Sequence, residues 1–155
     1  MIRVLFVCLG NICRSPMAEA VFLQMVREAK LDDRIEVDSA GTGDWHVGNV
    51  PHKGTLAVLK KNGVPVDSRA RQVKLADLTA FDFIVTMDER NSRDVLELSR
   101  EAPRAQVARL LDYVPDAVEK NVPDPYYTGD FDGVYQLVRV GCTRLLEHIR
   151  QSFDI

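Results

Sequence analysis

The sequence predicts an α/β fold in which a parallel sheet lies between two layers of helices. Two observations indicate this class. Apolar runs of strand length alternate with longer amphipathic stretches along the chain, which is the pattern of parallel strands joined by helical crossovers. The first run, residues 1–7, is apolar apart from Arg3, as is typical of a central strand buried on both faces. We therefore expect a three-layer α/β/α fold with four strands and right-handed crossovers.

The composition is that of an ordinary globular protein. The 155 residues suffice for a single domain, 1–155, and 46% of them are hydrophobic while 28% are charged. The net charge of -3 creates no basic field, so nucleic acid is not an expected partner. No apolar run approaches the ~20 residues that span a bilayer, and the N-terminus lacks the features of a signal peptide. We expect no membrane association and a cytoplasmic location.

The spacing of cysteines and histidines argues against a disulfide scaffold and against a metal site. Three cysteines in a chain of this length fit reduced thiols better than disulfide bonds. Cys8 and Cys13 are too far apart for the usual first zinc pair, and the three histidines, His46, His52 and His148, do not form a second pair. We expect no metal and no cofactor, and we interpret the histidines as surface or packing residues.

Residues 7–16, Val-Cys-Leu-Gly-Asn-Ile-Cys-Arg-Ser-Pro, connect the first strand to the first helix. The helix is expected over 16–30, with Ser15 as its N-cap, Pro16 in its first turn and Glu19 near the capping-box position. Such a strand-to-helix turn directs free backbone N–H groups and the positive end of the helix dipole into one concavity. The sequence therefore predicts a phosphate-binding loop after the first strand.

The side chains of this loop are suited to phosphoryl transfer. Gly10 lets the backbone bend, and Asn11 tolerates left-handed dihedral angles. A lone cysteine at a strand end is often a core residue, but the helix dipole and Arg14 favour a Cys8 thiolate, which makes Cys8 the candidate nucleophile. Arg14 can present a planar fork to two phosphoryl oxygens. Ser15 can donate its hydroxyl to the Cys8 sulfur when the thiolate departs.

A second loop is expected beside the first. Residues 35–40 alternate like a strand, and the loop over 41–49 follows them. If the two strands are neighbours in a parallel sheet, Ser39 is expected to brace Asn11. Trp45 is then expected to form a wall of the pocket, although a half-buried packing role is the alternative for this aromatic residue.

The other elements are predicted from the same two patterns, apolar runs of strand length and amphipathic stretches of helix length. They are a helix over 51–62 that ends before Gly63, a polar connection over 64–72, a helical turn over 77–79, a strand over 83–87, a helix over 88–98, a strand over 105–110 and an amphipathic helix over 131–153. Asp88 lies near the N-terminus of its helix and is expected to orient Arg14.

Asp124 is the candidate general acid. Expulsion of an alkoxide or phenolate requires a proton, and the flanking Pro123 and Pro125 stiffen the loop that carries this carboxyl group. Tyr126 and Tyr127 follow directly and are expected to exclude water as further walls of the pocket. The alternatives are that Asp124 is only a turn residue and that the tyrosines only pack.

The stretch 8–16 resembles the signature of the low-molecular-weight protein tyrosine phosphatases. Four further stretches, 38–42, 69–72, 87–88 and 124–127, resemble parts of that family in the same order, so nearly the whole chain is covered. The resemblance implies the strand order 2-1-3-4, with the phosphate-binding loop at the switch point between strands 1 and 3. It also implies metal-independent hydrolysis of phosphotyrosine in proteins, and of small aryl phosphates, through a cysteinyl-phosphate intermediate.

The resemblance further implies roles for individual residues and ligands. Asp124 is the general acid in such enzymes, and the residues that hold the substrate beside Cys8 and Arg14 are Leu9, Gly10, Asn11, Ile12, Cys13 and Ser15. Tyrosine-phosphorylated proteins are the implied partners, and inorganic phosphate or other oxyanions are the implied ligands. Cys13 is either an inert loop residue or, as in the family's response to peroxide, a disulfide partner of Cys8. Family members often carry histidine at the position of Ser68, within a network that holds the loop.

Three alternative functions are weighed against this one. Arsenate reductases share the fold and loop but need further redox cysteines, whereas the only downstream cysteine is Cys142, in a predicted helix that favours a core role. Protein-arginine phosphatases resemble this loop but carry threonine at the position of Ile12, and the apolar Ile12 favours an aromatic substrate. A non-catalytic phosphotyrosine-binding module is expected to lack Cys8 or Asp124, and both residues are present.

Overall fold

The structure is a computed structural model that describes all of residues 1–155, and it contains one parallel sheet. Its four strands are β1 (Ile2–Cys8), β2 (Ile35–Gly41), β3 (Phe83–Thr86) and β4 (Gln106–Arg109), in the order β2-β1-β3-β4. The predicted fold class and strand order are therefore confirmed. β1 is a central strand, and its last residue, Cys8, lies opposite Gly41 at the end of β2.

Helices connect the strands and cover the sheet. They are α1 (Arg14–Glu28), α2 (Lys53–Lys61), α3 (Asp77–Ala80), α4 (Glu89–Leu96), α5 (Pro125–Thr128) and α6 (Phe131–Phe153), with a 3₁₀ helix over Leu110–Tyr113. None of these helices combines the length and the hydrophobicity that crossing a membrane requires.

The side chains of β1 alternate between two hydrophobic clusters, because successive residues of a strand point to opposite faces. Val4 and Phe6 belong to the larger cluster, which contains 28 buried residues and includes the inner faces of α1 and α6. Leu5 and Val7 belong to a cluster of 9 buried residues that includes residues of α3 and α4. The sheet is therefore the middle layer of three, and the end of β1 emerges between the two cores.

Most predicted elements are present with shifted ends. α6 spans the predicted residues, whereas α2 is shorter than predicted and has His52 as its N-cap. Gly63 adopts a positive φ of 69° after α2, as expected for a glycine that ends a helix. α4 begins after Asp88, whose carboxylate caps the helix in a capping box with Asn91.

The predicted N-cap at Ser15 is wrong. α1 begins at Arg14, two residues before the predicted start at residue 16, and no side chain caps it. The Ser15 hydroxyl instead lies 3.0 Å from the Cys8 sulfur, on the other side of the loop. Glu19 is not a capping residue either, because its carboxylate accepts hydrogen bonds from serines of two other segments. In both cases a long-range partner replaces the local one.

Two short elements are absent from the sequence prediction. α5 and the 3₁₀ helix each contain four residues, which is too short for a helical periodicity to be detected. The feature of the sequence that identifies α5 is its N-cap rather than a helical periodicity. Asp124 is its N-cap and Pro125 occupies its first turn, which is where proline is tolerated in a helix.

Candidate active site

The loop after β1 forms a cradle because its carbonyl groups are held on the outside. On the β2 side, the Thr42 N–H donates to the Cys8 carbonyl at 2.9 Å, and the Gly43 N–H donates to the Leu9 carbonyl at 2.9 Å. Because the C=O and the N–H of one trans peptide point in opposite directions, each fixed carbonyl makes the N–H of the next residue face inward. The backbone N–H groups of residues 9–13 donate to no other protein atom, and they are the groups that an oxyanion requires.

The start of α2 holds the other end of the loop in the same way. The His52 N–H donates to the Ile12 carbonyl at 2.8 Å. The hydroxyl of Thr55, which is fully buried, donates to the Cys13 carbonyl at 3.1 Å. Two segments that are distant in sequence, the end of β2 and the start of α2, therefore impose the conformation of the loop.

Asn11 connects the loop to its surroundings from a left-handed conformation, with a φ of 56°. Its amide nitrogen donates to Ser15 Oγ at 2.8 Å and to Ser39 Oγ at 2.9 Å. Its amide oxygen accepts the Arg71 N–H at 3.0 Å. Ser39, the residue that the sequence predicts as a brace for Asn11, is thus in contact with it. Asn11 is 1% exposed, so these bonds lie behind the loop and not in the pocket.

A chain of hydrogen bonds runs from Asn11 to the candidate nucleophile. The Ser15 oxygen accepts from Asn11, which leaves the single hydroxyl hydrogen of Ser15 for another acceptor. The Cys8 sulfur lies at 3.0 Å and the Ala40 carbonyl at the longer distance of 3.4 Å. Ser15 is therefore arranged to donate to a Cys8 thiolate.

The same chain extends in the other direction to Glu19 on α1. Ser39 donates its hydroxyl to Glu19 Oε1 at 2.5 Å, and Ser68 donates to the same oxygen at 3.1 Å. Because the Ser39 hydroxyl donates its only hydrogen to Glu19, its oxygen can only accept the hydrogen bond from Asn11. The amide of Asn11 thus donates to two hydroxyl oxygens, and these hydroxyl groups face the Glu19 carboxylate at one end of the chain and the Cys8 sulfur at the other.

Burial raises the pKa of the Glu19 carboxyl above its ordinary value, and the nearby Asp38 adds to this effect, while the hydrogen bonds from Ser39 and Ser68 oppose it. Glu19 is a residue of the site that the sequence interpretation misses, because it lies on the first helix at a spacing that suggests a cap. Only the long-range contacts reveal its position behind the loop.

Arg14 is buried at the bottom of the site and is held by acidic neighbours. One terminal nitrogen donates to Asp88 Oδ2 at 2.7 Å and to the Val122 carbonyl at 2.9 Å. The other lies 3.5 Å from Asp124 Oδ2. Burial by itself lowers the pKa of Arg14. Cys8 and the two aspartates outweigh this effect and together raise the pKa of Arg14 above its ordinary value. Arg14 therefore remains a cation. Asp88, which the sequence predicts to orient it, makes the shorter contact.

Asp124 faces this arginine from the start of α5. One carboxylate oxygen accepts the Tyr126 N–H at 3.1 Å and caps the helix, and the other points to Arg14. The side chain is about one-fifth exposed, at 21%. The structure thus brings Asp124 to the same cavity as Cys8, from a distant part of the chain.

The cavity above the loop has a volume of about 190 Å³. Its lining residues are Cys8, Leu9, Gly10, Ile12, Cys13, Trp45, His46, Asp124, Tyr126 and Tyr127. The three aromatic residues that the sequence predicts as walls are among them. Trp45 and Tyr127 are 68% and 75% exposed, so they form the mouth of the cavity rather than its depth.

Five predicted site residues lie outside the lining of the cavity, and one of them is Arg14, which is 2% exposed. Asn11, Ser15, Ser39 and Asp88 act on the loop or on Arg14 from behind. His46 is a lining residue that the sequence interpretation misses, and its ring lies over Gly10. Its position directly after Trp45, in the second strand-end loop, is the signal that identifies it.

The other thiols are distinct from Cys8 in their surroundings. Burial, followed by the proximity of Cys8 and Asp124, raises the pKa of Cys13 to about 12. Burial also raises the pKa of Cys142, which is fully buried and packs against α1 through the Ala18 carbonyl. Both are thiols at neutral pH. No cluster of histidine, cysteine and carboxylate side chains has the composition of a metal site.

A parallel α/β sheet whose first strand ends in a cysteine, followed by a cradle of free N–H groups and a buried arginine, defines a cysteine-dependent phosphatase. The family model of the low molecular weight phosphotyrosine protein phosphatases matches residues 3–154. The chain is 49% identical over 153 residues to the low molecular weight protein-tyrosine-phosphatase YfkJ of Bacillus subtilis, covering 98% of each chain. It is 50% identical over 129 residues to the Schizosaccharomyces pombe phosphatase of that family, covering 83% of each.

Solved structures give the same result. The crystal structure of Bacillus subtilis YfkJ superposes with a TM-score of 0.96 at 48% identity, covering 99% of this chain and 97% of that one. The Drosophila arginine phosphatase superposes with a TM-score of 0.88 at 33% identity, covering 95% and 97%. The chain belongs to the low molecular weight protein-tyrosine-phosphatase family. It is a metal-independent protein-tyrosine-phosphatase that hydrolyses phosphotyrosine through a cysteinyl-phosphate intermediate.

Glu19 is expected to make the stability of the protein depend on pH. Since burial raises its pKa in the folded state, the stability that it contributes is complete below its ordinary pKa and is lost as the pH rises through the folded-state pKa. Glu19→Gln removes this titration. The free energy of unfolding of the unaltered protein minus that of the variant is therefore expected to fall from pH ~4 towards neutrality, as measured by urea unfolding. Glu101→Gln, at an exposed position, is the control for the substitution itself. A flat or rising difference for Glu19→Gln would contradict the assignment.

Gly41 is expected to be essential for the shape of the loop. A Cβ at this position meets the Leu9 carbonyl oxygen at 2.9 Å and the Asn11 nitrogen at 3.0 Å, and both are backbone atoms. If Gly41→Ala places the usual overpacking cost of about 1–3 kcal/mol on the loop, the inhibition constant of inorganic phosphate should rise roughly 5- to 150-fold. Gly63→Ala is the control, because no atom lies near its Cβ and only stability should decrease. An unchanged constant for Gly41→Ala would show that the loop accommodates the methyl group.

Proposed function

We propose that residues 1–155 form a single phosphatase domain in which Cys8 is the nucleophile, Arg14 binds the phosphoryl oxygens and Asp124 transfers protons. The observation that carries this assignment is that Cys8 and Asp124 line one cavity above a loop whose N–H groups are free to bind an anion, while the buried Arg14 reaches Asp124 at 3.5 Å. Each residue comes with the partner that its role requires: Ser15 at the sulfur, Asp88 at the guanidinium and the α5 cap at the carboxylate.

In the first step, the Cys8 thiolate attacks phosphorus and the bond from phosphorus to the tyrosine oxygen breaks. Protonated Asp124 gives its proton to the departing phenolate oxygen. The N–H groups of the loop and the guanidinium of Arg14 bind the three equatorial oxygens, on which the negative charge of the transition state lies. The contact between Arg14 and Asp124 is long, at 3.5 Å, so a phosphoryl oxygen can replace it without the loss of a strong hydrogen bond.

In the second step, water attacks the cysteinyl phosphate. The Asp124 carboxylate accepts a proton from the water, and the bond from sulfur to phosphorus breaks to release inorganic phosphate and the Cys8 thiolate. The Ser15 hydroxyl stabilises the departing sulfur, because Asn11 occupies the Ser15 oxygen and leaves its hydrogen for Cys8. The two steps together return Cys8 and Asp124 to their starting protonation states.

The walls of the cavity suit a phosphotyrosine side chain. Trp45, Tyr126 and Tyr127 surround the entrance, and Ile12 of the loop also lines the cavity, so the phenyl ring of the substrate contacts apolar and aromatic surface. The proposed partners are tyrosine-phosphorylated proteins, and inorganic phosphate and other oxyanions are ligands of the cradle. The cytoplasm is the proposed location, because all three cysteines are free thiols, a state that reducing compartments maintain.

Reversible oxidation of Cys8 is a further proposed property. Peroxide oxidises the Cys8 thiolate to a sulfenic acid, and attack by the Cys13 sulfur then forms a disulfide and releases water. Both cysteines line the same cavity, which supports this pairing. The raised pKa of Cys13 leaves Cys8 as the thiol that peroxide oxidises first, since oxidation follows thiolate character.

Phosphoarginine is the alternative substrate to be tested, because a neighbour of similar fold is an arginine phosphatase. We expect phosphotyrosine peptide to be hydrolysed at least ~10-fold faster than phosphoserine or phosphoarginine peptide in the presence of a metal chelator, because the aromatic walls favour a phenyl ring. Phosphate release measured with matched peptides decides between them. Cys8→Ser is the blank, because it retains the cradle but lacks the thiolate. A preference for phosphoarginine would overturn the proposed specificity.

Asp124→Asn tests the proton transfer. Expulsion of a tyrosine phenolate requires a proton far more than expulsion of nitrophenolate, whose own acidity makes it a good leaving group. We expect the variant to lose ~10²–10⁴-fold in kcat/KM, which reports the first step alone, for phosphotyrosine and much less for the nitrophenyl ester. Asp130, the N-cap of α6, supplies the matched control: Asp130→Asn should slow neither substrate. Equal losses on both substrates would mean that Asp124 delivers no proton to the leaving group.

A further inference from the structure

His52 lies where three parts of the molecule meet. Its backbone N–H donates to the Ile12 carbonyl of the phosphate-binding loop at 2.8 Å. Its ring nitrogen Nδ1 accepts the Gly54 N–H at 3.0 Å and so caps α2. Its ring is stacked on Phe131, at the start of α6, with centroids 5.1 Å apart and planes inclined by 15°. The side chain therefore has both a polar and an aromatic role.

The same ring also supports a wall of the cavity. Tyr126 meets His52 edge to face, with ring centroids 6.0 Å apart and planes inclined by 76°. Tyr126 in turn contacts Tyr127 at 5.2 Å, and both tyrosines line the cavity. Their helix, α5, has only four residues, which is too short to be stable without outside contacts. The row of rings from Phe131 through His52 therefore supports the orientation of Tyr126.

We propose that His52 is a positioning residue that determines the affinity for the aromatic ring of the substrate by holding Tyr126 in place. This inference rests on the proposed assignment of Tyr126 to the ring-binding wall. Histidine suits the position because it combines a flat ring with a ring nitrogen that accepts a hydrogen bond. Asparagine can supply only the acceptor, and phenylalanine can supply only the ring, so the two roles are separable by substitution.

The test compares His52→Asn with His52→Phe. The substrate is p-nitrophenyl phosphate, which contains a ring, and the reference ligand is inorganic phosphate, which binds the cradle alone. In His52→Asn we expect KM to rise ~2–10-fold, the change that matches the strength of one aromatic pair, while kcat and the inhibition constant of phosphate stay within about twofold. In His52→Phe we expect KM near that of the unaltered protein but a lower melting temperature, because the α2 cap is lost.

His148 provides a matched control. It also lies among aromatic rings, with centroids 5.1 Å from Tyr113 and 6.1 Å from Phe83, but none of these residues lines the cavity. His148→Asn should therefore reduce stability through the loss of similar contacts and leave KM unchanged. A rise in KM for this variant as well would mean that KM reports general destabilisation, and the role of His52 would be rejected.

A double-mutant cycle separates the inference from the assignment on which it rests. Tyr126→Ala should raise KM for the aryl phosphate, and adding His52→Asn to that variant should raise it no further, because the two changes remove the same interaction. If Tyr126→Ala leaves KM unchanged, the wall assignment fails and the inference fails with it. If Tyr126→Ala raises KM but His52→Asn does not, only the inference is wrong. Equal increases in KM and in the phosphate inhibition constant for His52→Asn would also overturn it, since His52 would then act on the loop through Ile12.

Discussion

The structure depends on one constraint, which is that the loop after β1 must present its N–H groups to an anion. A peptide that turns its N–H inward turns its carbonyl outward, and a buried carbonyl requires a donor. The end of β2 supplies two donors, at Thr42 and Gly43, and the start of α2 supplies two more, at His52 and Thr55. The parallel pairing of β1 with β2, and the packing of α2 beside the loop, are therefore requirements of the site.

The second determinant is the balance of charge around a buried arginine. Burial of an unpaired cation is costly, and its neighbours must compensate for the lost solvation. Asp88 provides the short contact to Arg14, and it is itself the cap of α4, so its orientation is independent of the substrate. Asp124 makes the longer contact from the start of a four-residue helix. The carboxylate with the short contact to Arg14 therefore suits an orienting role, and the one with the longer contact suits the proposed role in proton transfer.

The fold could be predicted almost completely from the sequence, because β1 is apolar on both faces and α6 carries a long amphipathic pattern. The elements that escaped prediction, α5 and the 3₁₀ helix, are too short to show a period. In the site, Asn11 could be identified from its tolerance of left-handed dihedral angles. Glu19 could not, since its partners Ser39 and Ser68 are 20 and 49 residues away in sequence. Local capping patterns compete with such contacts, and nothing in a single segment reveals which one prevails.

Asn11 shows how completely a long-range network can determine one residue. Its φ of 56° is accessible to glycine, asparagine and aspartate. Glycine has no side chain to reach Ser15 and Ser39, and an ionised aspartate has no hydrogen to donate to them. The amide uses both of its hydrogens and its oxygen, the last for the Arg71 N–H. Because Asn11 thereby directs the Ser15 hydroxyl to Cys8, the backbone geometry of the loop and the chemistry of the sulfur are set by the same side chain.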